Sequence, residues 1–403
     1  MEPKVSFIIP CYNLAHFLGD CVNSILSQTY GDFEILIMDD CSPDNTPEVA
    51  AEFKDTRVIY IRNESNLGHL RNYNRGIELS RGKYIWLISA DDCLRSQNVL
   101  QKYVDLLDQN PNVGYVFCPA MVLRDGKEAG VIGRVNRNGD LAEILSGREL
   151  VRSSAYNCPL VSPTALVRKE CYTKVGGFPL NQPRTADWYL WAMFAMSYDV
   201  GFFAKPMVYY RQHTNNMEIT LEKEQPSYYF GSELSTRWTI KKEAESAGFR
   251  DLRPDFYRGL ADAYTTRLVR KVAEDWQHGY TWDAAIREIH ANASDKEEAE
   301  EILRLISTGW SNALASGHSF AGAVYYQMGQ IDKAVAAFRS ALALKPRSIR
   351  LRLYLVVSRL EQICGVKLYY WLKLIRNTSL KLIRNTLLWL QRLRTRRASI
   401  ISH

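Results

Sequence analysis

The stretch from Lys83 to Leu94 constrains this chain most. Five apolar residues, 84–88, run straight into Ser89, Ala90 and two adjacent carboxylates, Asp91 and Asp92. An unbroken apolar run of this length reads as a strand buried on both faces. A central strand whose carboxyl end opens onto acidic side chains is where an open α/β sheet places its ligand. Paired carboxylates there suit a hard divalent cation and the phosphates it carries. They also suit the simpler role of capping the helix that follows.

Upstream, the same pattern occurs once more. Residues 4–9 form an apolar run ended by Pro10, and Cys11-Tyr12-Asn13 follows as a loop. Helical spacing over 16–29 places Phe17, Cys21, Ile25 and Leu26 on one side. A second strand, 33–38, again ends in an acidic pair, Asp39-Asp40. A third strand at 57–61 leads through Asn66-Leu67-Gly68 into a helix near 69–80, and a helix near 97–109 and a strand near 113–118 come after the central strand. Such alternation predicts a mostly parallel sheet covered by helices on both faces. Two strands ending in Asp pairs then set four carboxylates along one edge of it.

Composition excludes several classes. Hydrophobic residues make up 46% and charged residues 24%, as in ordinary globular proteins. No apolar run reaches eighteen residues, so no transmembrane helix is expected, nor is a secretory leader. The eight cysteines are scattered, without a Cys-x-x-Cys pair, which argues against a zinc site and for reduced thiols in the cytosol. The net charge of +7 belongs to one end of the chain: nine basic and no acidic residues follow Gly365, leaving 42 Lys and Arg against 44 Asp and Glu elsewhere. A slightly acidic body disfavours nucleic-acid binding.

Residues 5–94 resemble the nucleotide-binding half of the inverting family-2 glycosyltransferases, which have the GT-A fold. The matching segments are VSFIIPCYN at 5–13, SILSQTY at 24–30, EILIMDDCSPD at 34–44, NLGHLRN at 66–72 and SADD at 89–92. The resemblance implies a GT-A, Rossmann-like mixed sheet and transfer of a sugar from a UDP- or dTDP-sugar. It implies that Pro10 and Tyr12 line the base pocket, that Asp40 accepts the imide N–H of a uracil or thymine, and that Asp39 orients the loop. Arg71 would reach the diphosphate with its guanidinium fork. Asp91 would contact the ribose and, with Asp92, hold Mn2+ or Mg2+. This chain departs from the usual form at Ser89, where an aspartate is the commoner choice.

The likeness continues more loosely to about residue 216. VGGFP at 175–179 resembles the turn before the family's catalytic aspartate, and TADWYLW follows at 185–191. Inverting transfer is a direct displacement, so a base must take the acceptor hydroxyl's proton, and Asp187 matches that base. As an Asp at a helix start it would also serve as an N-cap. Trp188 and Trp191 would stack on a sugar ring or sit in the core. MVYYRQHTNN at 207–216 resembles the segment closing the catalytic domain, with Arg211 approaching the diphosphate and His213 as a third metal ligand.

Domain boundaries follow: 1–220 as the catalytic domain, 221–364 as a helical domain and 365–403 as a basic tail. Gly322, Tyr325, Gly329, Ala334, Phe338, Ala341 and Pro346 fall at the offsets of one tetratricopeptide-like helix pair, about 315–348. Residues 366–397 form a basic amphipathic pattern in which LKLIRNT occurs at 372–378 and 380–386. It fits peripheral contact with an anionic membrane at its cytoplasmic face, or an acidic partner surface. The implied acceptor is a growing glycan or a lipid-linked sugar, in cell-surface polysaccharide synthesis. The competing expectation is a degenerate domain that binds a sugar nucleotide, or acts as a scaffold, without turnover.

Overall fold

The computed structural model describes residues 2–134, 142–213, 216, 226–273, 281–327, 330–348, 351–352, 354–356 and 358. The basic segment 366–397 and Gly329 lie outside them, as do the surroundings of Gly322 and Tyr325. Among the described residues no helix is long and apolar enough to cross a membrane.

The first half alternates as its pattern requires: β1 (Val5–Cys11), α1 (Ala15–Leu26), β2 (Phe33–Asp39), α2 (Thr46–Glu52), β3 (Val58–Arg62), α3 (His69–Leu79), β4 (Tyr84–Leu87), β5 (Cys93–Leu94), α4 (Val99–Gln109) and β6 (Val113–Phe117). There follow β7 (Ala120–Arg124), β8 (Lys127–Ile132), β9 (Ala142–Leu145), α5 (Gly147–Ser154), β10 (Leu166–Arg168), α6 (Lys169–Val175), α7 (Ala186–Ala195), β11 (Asp199–Phe203) and β12 (Val208–Gln212). Helices α8 (Pro226–Ser246), α9 (Arg253–Ala273), α10 (Trp282–Asn292), α11 (Lys296–Gln327) and α12 (Ile331–Leu344) come next.

Eight strands form the main sheet in the order β3-β2-β1-β4-β10-β6-β11-β9. Strands β3, β2, β1 and β4 run parallel, whereas β10 is antiparallel to both neighbours, so the sheet is mixed. Period-2 alternation assigns each strand's side chains to opposite faces. Ile8, Met38 and Ile85 join one buried cluster with Leu190, Trp191 and Phe194 of α7. Phe7, Ile37 and Trp86 join the other, with Leu18 and Val22 of α1 and Tyr103 of α4. Phe7, Trp86, Tyr103 and Phe203 stack in succession at 5.4, 4.9 and 5.5 Å between ring centroids. Burial on both faces explains why these strands read as continuous apolar runs.

A second sheet, β5-β12-β7-β8, stands beside the carboxyl end of β4. Pairing of Tyr209 with Cys93 brings the 207–216 segment against the turn that carries Asp91 and Asp92.

The chain forms two compact units, 1–260 and 261–403, dividing within α9. The change of composition at 220 marks a change of element type, while the first unit continues through α8, which packs on α5 and α7. In the second unit, Thr281 caps α10 by accepting from the Ala284 amide at 3.1 Å. At the start of α11 the Asp295 carboxylate accepts from the Glu298 amide at 2.8 Å, and the Glu298 carboxylate accepts from the Ser294 amide at 3.0 Å. Helices α11 and α12 pack closely, and Ala334, Phe338 and Ala341 are fully buried there.

Candidate active site

The strand ends are tied together by backbone hydrogen bonds that continue past the sheet. The Ile88 amide donates to Ile8, the Ala90 amide to Pro10 and the Asp40 amide to Cys11, at 3.0, 3.2 and 2.9 Å. One rim of the sheet therefore carries Tyr12, Asp40 and the Ser89–Asp92 turn at fixed spacing. Asn13 and Cys41, just past β1 and β2, both have left-handed backbone (φ 58° and 61°), an uncommon state for residues other than glycine.

Asp39 is fully buried and holds the loop, as expected of it. It accepts from the Ser42 amide at 2.8 Å and the Tyr60 hydroxyl at 2.6 Å, and it pairs with Arg62. Burial alone would raise its pKa, but the bonds from Ser42 and Tyr60 and the Arg62 charge hold it below the usual carboxylate range.

Asp40 is buried as well. It is 3% exposed, and its Oδ1 accepts from Asn63 Nδ2 and the Leu67 amide at 2.7 and 2.8 Å. Oδ2 accepts from the Gly68 amide at 2.9 Å. Asn63 also donates to Asn72, whose amide group donates to the Met38 carbonyl. The carboxylate is thus committed to folding the 63–68 loop over the end of β2, leaving Oδ2 the less engaged oxygen. Pro10 is buried within β1, Tyr12 is 49% exposed, and Arg71 is exposed on the first turn of α3.

A cavity of 460 Å³ lies beyond the end of β4. Asp91, Asp92 and Asp187 all line it, with Ser89, Tyr73 and His69. Asp91 Oδ2 is 3.1 Å from His213 Nε2, and its Oδ1 is buried with no hydrogen-bond partner among the described residues. Asn216 braces this corner, accepting from the His213 amide at 2.5 Å and donating to the Arg211 carbonyl at 3.2 Å.

Asp92 does not join Asp91 and His213. It is 3% exposed, and its Oδ1 accepts from the Arg211 amide at 2.9 Å, stitching the turn to β12. Burial raises its pKa strongly and the Asp91 charge adds to that, against the opposing Arg211 amide and guanidinium. Arg211 also departs from its expected place. Its guanidinium donates to the Asp91 carbonyl and to Asp20 at 2.8 and 3.1 Å and lies 4.5 Å over Phe17, turned toward α1. Among the described residues no three His, Cys, Asp or Glu side chains are arranged to hold a metal.

Asp187 is the second residue of α7, and Thr185, rather than Asp187, occupies the cap position. Asp187 Oδ1 accepts from the Trp188 amide at 2.7 Å. Trp191 is core, against Tyr115 and Phe194. Trp188 borders the cavity, but the Arg237 guanidinium covers one face at 4.6 Å.

The loop that delivers Asp187 is fastened from two sides by residues that sequence reasoning missed. From α3, Asn74 accepts from the Phe178 amide at 2.7 Å and donates to its carbonyl at 3.0 Å. His69 Nε2 lies 2.7 Å from the Pro183 carbonyl, which can only accept, so the ring carries its proton there. From α8, Thr236 bonds Thr185 and Gln182 at 2.6 and 3.2 Å. Both glycines of the 175–179 turn are required: Gly176 has φ +99°, and a Cβ on Gly177 would fall 2.3 Å from Asn74 Oδ1. Tyr73, between His69 and Phe178, feels three of the cavity carboxylates; burial first, then Asp91, Asp187 and Asp92, raise its pKa and keep it a neutral phenol. Its one sequence signal, a helical spacing of four from His69, is too common to single it out.

The family model described as Glycosyl transferase family 2 matches residues 6–172. A Mycobacterium tuberculosis protein, MT1568, is 30% identical over 232 residues, spanning 54% of this chain and 70% of its own. Residues 6–172 are a glycosyl transferase family 2 domain. The chain is an enzyme of the glycosyltransferase class, and an uncharacterized glycosyltransferase of Haemophilus influenzae is 26% identical over 227 residues, 55% of this chain and 70% of that one. In fold, this glycosyltransferase is similar to S. aureus TarS 1–349 (TM-score 0.53, 14% identity, 85% and 92% of the two chains). The same TarS fragment in complex with UDP-GlcNAc gives a TM-score of 0.52 at 15% identity, over 90% and 89%. The family match ends at 172, before Asp187, His213 and α8.

Proposed function

We propose that this glycosyltransferase moves a sugar from a UDP- or dTDP-sugar to a hydroxyl of a glycan or lipid-linked acceptor, with inversion at the anomeric carbon. The observation that carries this is the meeting of Asp91 and Asp187, from segments ninety-six residues apart, in one cavity at the carboxyl ends of parallel strands. A donor held at Asp91 presents its anomeric carbon toward Asp187. As the acceptor oxygen attacks, Asp187 takes its proton. Its Oδ1 is held by the Trp188 amide, which fixes the carboxylate at the start of α7. Tyr73, kept neutral, offers a hydroxyl among the carboxylates without adding charge. Pro10 and Tyr12 border the base, Asp40 sets the loop around it, and Arg71, exposed on the first turn of α3, reaches the diphosphate. TarS binds UDP-GlcNAc on a similar fold, in keeping with a uridine donor.

The residues present fit a divalent cation: Asp91 has a buried, unpartnered oxygen beside the His213 imidazole. A carboxylate and an imidazole suit Mn2+, with Mg2+ the alternative. Asp91 and His213 would hold it, Asp92 bracing the turn, and phosphate and water oxygens would complete its shell. When bound, the ion neutralises charge developing on the departing nucleotide. We place the enzyme at the cytoplasmic face of a membrane, through the basic amphipathic pattern of 366–397. Unchanged sedimentation with anionic vesicles after deletion of that segment would remove this part of the proposal.

A panel of sugar nucleotides with candidate acceptors, with and without Mn2+, scored by nucleotide release, tests the reading. Asp187→Asn should lower transfer about 10³-fold while nucleotide binding persists. Full activity in that variant would refute the assigned base.

A further inference from the structure

The cavity has two chemically different ends. Asp91 and Asp92 enter from β4 at one; at the other Asp187 and Trp188 open α7, and α8 adds Glu233 and Arg237. Helix α8 lies beyond the residues that the family model matches. Arg184 Nη1 donates to Glu233 Oε1 at 3.1 Å, and Arg237 Nη1 donates to Oε2 at 3.5 Å. Arg237 also donates to the Tyr156 carbonyl, and its plane rests on Trp188. Each arginine side chain is only 6% exposed, whereas that of Glu233 is 31% exposed. The two cations are turned into the wall, and the carboxylate between them is the group presented to the cavity.

A carboxylate only accepts hydrogen bonds, and charged acceptors make the stronger ones. At the Asp187 end the lining carries two carboxylates, Asp187 and Glu233, and two guanidiniums, Arg184 and Arg237, and of the Arg184–Glu233–Arg237 group only the carboxylate is appreciably exposed. A phosphate or carboxylate brought to the Asp187 end would meet repulsion, while hydroxyl groups would find a fixed acceptor.

We propose that Glu233 is a specificity-determining residue of the acceptor site, accepting hydrogen bonds from hydroxyls of an uncharged sugar or polyol and rejecting anionic acceptors. The proposal rests on the reading of Asp187 as the base, which makes this end the acceptor's. Arg184 and Arg237 are positioning residues that aim the carboxylate.

The test compares two acceptors on the full chain: a neutral oligosaccharide and the same oligosaccharide carrying a phosphate monoester. The native enzyme should favour the neutral one. Glu233→Gln, which keeps shape and removes charge, should cut kcat/KM for the neutral acceptor about 10-fold and shift the neutral-to-anionic ratio about 10-fold toward the phosphorylated one. Glu233→Asp, which keeps the charge, should retain the native preference. Equal losses on both acceptors with a lowered Tm would show a structural brace and overturn the proposal, as would an unchanged ratio. If Asp187→Asn retains full transfer, the base assignment fails instead, whereas the ratio of two acceptors on one protein still reads Glu233 alone.

Discussion

The strand end holding Asp91 and Asp92 and the loop delivering Asp187 reach the same cleft by opposite routes. On the donor side each residue extends a strand buried on both faces, and its position follows from β-sheet register. On the acceptor side the chain between Val175 and Ala186 has little regular structure, and its place is set by hydrogen bonds from α3 and α8. The lesson is that the donor site is a by-product of the sheet, while the acceptor site is assembled by side chains over long separations. The first should tolerate change around it; the second should respond to single atoms. Four substitutions can break or sharpen that contrast.

The largest effect of these four is expected at the donor side's own chemistry. Asp91→Asn removes half of the carboxylate–imidazole pair and should lower kcat/KM about 100-fold, with any Mn2+ dependence displaced to higher metal concentration. The fold should be unaffected, because Asp92, not Asp91, carries the bond to β12. A large fall in Tm in Asp91→Asn, with kcat/KM restored by cooling, would reverse the roles assigned to the two neighbours.

A smaller effect is expected at Gly177. An alanine Cβ there would sit 2.3 Å from Asn74 Oδ1, so Asn74 must swing aside and give up both bonds to Phe178. Misplacing the loop that carries Asp187 should cost about 10-fold in kcat with the donor KM little changed. Asn74→Ala should do the same, and the double variant should be no worse than either alone, since both remove one clamp. Additive losses would show that Gly177 and Asn74 act separately.

How far each half was legible follows from the same contrast. The strands from Val5 to Phe117 lie within a residue or two of where the apolar runs place them, because double-sided burial leaves a plain signal. Asp91 and Asp187 line one cavity. The finer roles of Asp40, Asp92 and Arg211 were not legible: which way a strand-end carboxylate turns depends on loop amides at Leu67, Gly68 and Arg211, and no periodicity encodes that. Asn74, Thr236 and Glu233 were missed altogether. Polar residues on amphipathic helices read as solvated faces until tertiary contacts show which of them point inward.

The smallest effect on transfer, and the sharpest check on the donor side, is expected from Asp39→Asn. Asp39 touches no cavity; it is buried behind the rim, where Ser42, Tyr60 and Arg62 converge on its carboxylate. Its loss should therefore appear in stability, at about 2 kcal/mol, a typical value for a hydrogen-bonded buried charge. The pH dependence has a definite sign. Burial opposes the charged form, but the bonds to it prevail, so its folded-state pKa lies below 3.8, the value of an unperturbed aspartate. Such a group stabilises the native state above its unfolded pKa, and that contribution fades as pH falls through the folded value. The difference in Tm between the native enzyme and Asp39→Asn should thus be full at pH 7 and shrink below about pH 4. A difference that stays constant from pH 7 to pH 3 would mean that packing, not the carboxylate's charge, anchors the loop, and the donor side would then rest on shape as much as the acceptor side rests on hydrogen bonds.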